Sequence, residues 1–174
     1  MIARLRDAVR DSGTPLASSL GDDAVATHDD EPALLAAGGP RVAGHREDVE
    51  IAVAAVDEGY RLHYAHPRAL RIADSDLALL AGDRMYALGL ARLAAIGDLT
   101  AILELADVIA LSAQAHASGD EDLAGAAWQA GAAAIARGST PAGADAKALA
   151  RSADPGAAAA LRDAALAPLH APAT

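Results

Sequence analysis

The sequence predicts an all-α fold, an antiparallel helical bundle, on three observations. Apolar residues make up 53% of the 174 positions, and much of that share is alanine, with no Phe, one Trp and three Tyr. Alanine is the best helix former, while the aromatic residues that favour strands are scarce. From about His45 onward the larger apolar residues recur at helical spacing. Finally, Gly97-Asp98 and Gly119-Asp120 repeat one helix-ending, helix-starting device: glycine suits the left-handed position after a helix, and aspartate caps the next one.

In chain order, residues 2–10 read as a short helix, and 11–30 as a polar, acidic connection containing Gly13, Pro15 and Gly21. Glu31–Ala37 reads as a second short helix, capped by Asp30 with Pro32 in its first turn and stopped by Gly38-Gly39-Pro40. Val49, Val53, Val56 and Tyr60 mark a helix from about His45 that Pro67 ends or kinks. Arg68–Ile96 is apolar nearly all round, with Leu77, Leu80, Met85 and Leu88 in register, and is expected to be the central, most buried helix. Helices over about 99–117 and 121–137 follow, folded back on one another by the tight joints. Three regions result: short helices and loop over 1–44, a helical core over 45–138, and an Ala/Pro-rich tail over 139–174. In the tail, weak helices near 144–152 and 156–166 compete with disorder.

Net charge is −10. That argues against nucleic acid or an anionic membrane as partner, since both call for clustered Lys and Arg. The absence of Cys excludes disulfides, zinc thiolates and thiol catalysis. The charged N-terminus has no apolar run behind it, and Leu99–Ala117, the most apolar stretch, is interrupted by Glu104, Asp107, Gln114 and His116. No membrane insertion and a cytoplasmic location are expected.

Few residues suggest chemistry. Asp22-Asp23 and Asp29-Asp30, with His28 between, have the hard oxygens magnesium requires, but solvated loop acids and helix caps account for them better. Asp120-Glu121-Asp122 suits a helix N-terminus. His63 and His66 share a helix face near Asp57 and Glu58, a weak ligand set without further donors. Asp7 and Asp11 are surrounded by Arg4, Arg6 and Arg10, which is an ion-pair pattern. No phosphate loop or hydrolase nucleophile motif is present.

Ser75-Asp76-Leu77-Ala78-Leu79-Leu80-Ala81-Gly82-Asp83-Arg84-Met85-Tyr86 resembles the leucine–alanine–glycine–aspartate helix of the trans-isoprenyl diphosphate synthases. Ala52–Tyr64 resembles the helix leading into that family's first aspartate-rich motif. The likeness spans about residues 45–137 and is nearest to the small, catalytically degenerate component of two-component long-chain prenyl diphosphate synthases. The family's active members bind magnesium through Asp-Asp-x-x-Asp. Here the corresponding stretch is Asp57-Glu58-Gly59-Tyr60-Arg61, with Arg61 where the third acid belongs, and the tail carries no second such motif.

The resemblance therefore implies a non-catalytic subunit that pairs with a catalytic prenyl synthase, or with itself. It implies no catalytic residue and no resident metal; magnesium would enter only if catalysis were retained. Asp57, Tyr60, His63, His66 and Asp83 are the candidate ligand-binding residues, and Tyr86, Leu90 and Leu93 the candidate interface. The alternatives are a stand-alone helical module for an apolar or isoprenoid ligand and a divergent active prenyltransferase. Gly82 is expected inside a continuous helix, where it would allow a neighbouring backbone to approach closely.

Overall fold

A computed structural model of the chain describes residues 1–21 and 31–167. Eight α-helices form among the described residues: α1 (Ile2–Asp11), α2 (Glu31–Gly38), α3 (Arg46–Tyr64), α4 (Ser75–Ala95), α5 (Leu99–Ser118), α6 (Glu121–Arg137), α7 (Pro141–Arg151) and α8 (Ala157–Leu166). Short 3-10 turns at Pro15–Ser19 and Pro40–Val42 link the first three. Among the described residues there is no strand, only one antiparallel bridge between Leu20 and Leu70. The architecture is an all-α bundle. The acid pairs at 22–23 and 29–30, His28 and the cap at Asp30 lie outside the described residues.

The two tight joints form by the expected chemistry. Gly97 and Gly119 adopt φ of 74° and 71°, which only glycine takes up without strain. Asp98 and Asp120 then accept hydrogen bonds from the amides of Ala101 and Leu123. At the second joint the chain reverses, so that Val108 of α5 lies beside Gly131 of α6. Helices α3 and α4 also pack in antiparallel order, with Ala52 beside Gly89 and Gly59 beside Gly82.

The core is organised around α3 and α6 rather than α4. Helix α3 is surrounded by α1, α2, α4 and α5, and buries Val49 through Gly59 almost without interruption. Helix α6 packs on α2, α5, α7 and α8 and buries Leu123, Trp128 and Ile135 among many alanines. Helix α4 covers one side of α3. Only Ala81, Gly82, Met85, Gly89 and Leu93 are buried on it, while Leu77 and Leu80 are 49% and 66% exposed. The expectation of a central α4 with Leu77 and Leu80 inside is therefore corrected. A helix apolar on every side gives periodicity no face to choose, and the face that packs is the small one, where glycines let α3 approach.

Residues 141–166 form two packed helices. Ala146, Ala150, Ala157 and Leu161 join Leu111, Ala115, Leu123 and Ala127 in a second apolar cluster. By length and composition α5 is the one helix among the described residues long and apolar enough to cross a membrane. It packs on α4, α6 and α7, and its buried Glu104 pairs with Lys147 of α7.

Candidate functional site

The candidate residues gather at the C-terminal end of α3 and the helices facing it. Helix α3 stops at Tyr64 because Pro67 disfavours helical backbone before it, and the chain then turns back along its own last turns. Glu58 holds that reversal. It is fully buried and accepts hydrogen bonds from the amides of Arg68 (2.9 and 3.0 Å), Ala69 (2.7 Å) and Leu70 (2.9 Å). Arg71 N and Gly21 N, bonded to Ser19 O and Ala69 O, fasten the same segment to the N-terminal region.

Asp57 is equally enclosed, at 5% exposure. It pairs with Arg61 at 3.2 Å and closely with Arg68. Burial pushes its carboxyl above the ordinary range, against the pull of Arg68 and Arg61. The two acids at the place where the resemblance would put magnesium ligands are thus both committed to internal bonds.

The three tyrosines, the tryptophan and two histidines form one cluster beside these acids. Tyr60 Oη lies 2.9 Å from His116 Nε2 on α5, and its ring meets Trp128 of α6 edge-on at 5.6 Å. Tyr64 stacks on His116 with centroids 4.2 Å apart and planes 6° from parallel. Burial, followed by the nearby Asp57 charge, raises the Tyr60 hydroxyl's pKa, so it stays protonated. On the α4 side, His63 stacks on Tyr86 at 5.3 Å, with Nε2 3.3 Å from Asp83 Oδ1. This stack sits over the point where Gly59 and Gly82 touch. A Cβ on Gly82 would meet the His63 ring at 2.5 Å and Gly59 O at 3.1 Å. Helix α4 runs unbroken through Gly82-Asp83.

Asp57, Tyr60, His63 and Asp83 therefore lie about the α3 end, His63 and Asp83 paired with each other and Asp57 and Tyr60 held by other residues. His66, beyond that end, is exposed. Among the described residues no three His, Asp or Glu side chains gather as a cation-binding group. Of the candidate interface, Leu93 is fully buried, and Tyr86 and Leu90 are half-buried against the core. Apolar side chains that face outward include Leu77, Leu79 and Leu80 on α4 and Leu99 and Leu103 on α5, besides Leu34 and Leu35 on α2, Tyr64, Leu149 and Leu166.

Sequence patterns did not single out Glu58 as a structural anchor, or His116 and Trp128 as partners of Tyr60. Each depends on a contact between distant segments. The one available signal was compositional: few aromatic residues, two of them, Tyr60 and Tyr64, one turn apart on α3. No protein-family model, curated protein or solved structure matches this chain.

Proposed function

We propose that this chain is a non-catalytic subunit, related to the isoprenyl diphosphate synthases, that associates with a catalytic prenyl synthase. The observation that carries the reading is the outer face of α4. The helix bearing the Leu-Ala-Gly-Asp resemblance exposes Leu77, Leu79 and Leu80 within four residues. Clustered exposed leucines are an expected feature of a subunit contact. The non-catalytic half of the reading is supported by Asp57 and Glu58, whose carboxylates hold Arg61, Arg68 and the 68–70 amides. Acids bound in this way make poor ligands for a magnesium diphosphate.

The test is co-purification with prenyl synthases from the same cell, followed by sedimentation. Leu80→Asp should fold like the parent, within about 0.5 kcal/mol, because the side chain is largely in water. The same variant should weaken the association about tenfold or more, by placing a carboxylate in an apolar contact. The chain alone, given magnesium and isoprenyl diphosphates, should show no turnover. Robust turnover would sink the non-catalytic reading. A monomer that ignores every co-expressed prenyl synthase would sink the subunit reading.

A further inference from the structure

A cleft of about 490 Å³ opens between α5, α6, α7 and α8, away from the α3–α4 region. Its walls are apolar and small: Leu103, Ala130, Ala133, Ala134, Ala144 and Ala164 line it. Its volume falls in the range typical of small-molecule sites.

One side of the cleft carries charge in a setting where charge is expensive. Glu104 and Lys147 are only 4% and 8% exposed, and Lys147 Nζ pairs with Glu104 and with Asp107 Oδ2 at 3.0 Å. Ser139 Oγ donates to the other Glu104 oxygen at 2.6 Å, and Arg151 reaches Asp107. Burial opposes ionisation of Asp107, but Lys147 and Arg151 hold its carboxyl below the ordinary range, so it is charged at neutral pH. The network ties α5 to α7, although apolar residues of the same size would stabilise the bundle as well.

The network also leaves donors over. Lys147 has three N–H bonds and gives two to Glu104 and Asp107. Arg137 donates through one terminal nitrogen to the Ala165 carbonyl, leaving other N–H groups at the cleft it lines. Thr140 Oγ1 accepts from Gly143 N and retains its own hydrogen. Three cations, Arg137, Lys147 and Arg151, face two carboxylates, Glu104 and Asp107. Among the described residues the lining is thus one positive charge in excess, which suits a monoanion better than a phosphate dianion.

We infer that this cleft binds a small amphipathic carboxylic acid, its head group on Arg137, Lys147 and Thr140 and its apolar body along the alanine walls. The inference is independent of the proposed subunit role, because every residue it uses lies on α5–α8 or the joint before α7.

The probe is sodium octanoate, titrated calorimetrically into the full chain, with octylamine as a cation of the same apolar body. Octanoate should bind saturably at one site, and octylamine should not. Arg137→Gln should weaken octanoate about tenfold or more through loss of a charge-assisted hydrogen bond. Ala134→Leu, which adds carbons at the wall, should abolish binding while leaving the helical circular dichroism intact. If Arg137→Gln proves unfolded, Ala134→Leu alone decides the matter. Parent-like octanoate affinity in a folded variant, equal binding of octylamine, or no saturable binding at millimolar octanoate overturns the inference. None of these outcomes depends on a prenyl synthase.

Discussion

Glu58 illustrates how one side chain in this protein replaces a stretch of secondary structure. Residues 66–74 belong to no helix, so their amides lack the partners that a helix would supply. A single buried carboxylate takes the amides of Arg68, Ala69 and Leu70 together. Glu58→Ala would strand three buried donors, each costing about 1–3 kcal/mol, so a loss of about 3 kcal/mol or more is expected in urea unfolding. Glu58→Gln keeps one oxygen but turns an amide nitrogen toward a donor, and should fall between the two. A Glu58→Ala variant that unfolds at the parent's urea midpoint would contradict this account. Asp57, one residue earlier, faces Arg61 and Arg68 instead, so adjacent acids on one helix meet different partners.

At the scale of the element, the α3–α4 pair depends on missing side chains. A Cβ on Gly89 would lie 2.5 Å from Ala52 O and 2.7 Å from Val56 Cγ2. Alanine normally improves a helix interior by about 1 kcal/mol over glycine. Gly89→Ala should nevertheless lower the melting temperature, because a backbone carbonyl cannot turn aside as a side chain can. A rise in melting temperature would mean that the helices are not in close contact there. The close approach at Gly82 and the ends of α5 and α6 were legible in the sequence, because glycine and aspartate act within a turn of their own positions. The burial of α4 was not legible. Leu77, Leu80, Met85 and Leu88 share a helical register, yet only Met85 is fully buried. Which side of an all-apolar helix turns inward is decided by α3, through a glycine face that hydrophobicity does not mark. Nor was the aromatic cluster legible, since His116 and Trp128 reach Tyr60 across more than fifty residues.

Across the whole molecule, a few ion pairs fasten segments that lie far apart in sequence. Arg41, after α2, bonds both oxygens of Asp98 at 2.9 Å and the Ile135 carbonyl at 2.6 Å, tying the α4–α5 joint to the end of α6. Asp107 ties α5 to α7 through Lys147 and Arg151. For Asp98, as for Asp107, burial opposes ionisation but is outweighed, here by the Arg41 and Ala101 hydrogen bonds, and the folded carboxyl sits below its ordinary range. An acid depressed in the folded state contributes stability above its unfolded pKa and loses it as pH falls through the folded value. Thermal stability should therefore decline below about pH 4, the ordinary aspartate range. Asp98→Asn should be less stable at neutral pH and show a shallower decline in acid. An identical acid slope in parent and variant would remove Asp98 from that role. The Glu58 anchor has a further consequence, in the rate at which backbone hydrogens trade with deuterium. The amides of Arg68, Ala69 and Leu70 lie outside any helix, where loop amides ordinarily exchange within local fluctuations. Here they can be released only when the buried end of α3 opens, so they should exchange as slowly as those of Val53 and Val56, a patch of core-like protection in a segment without regular structure.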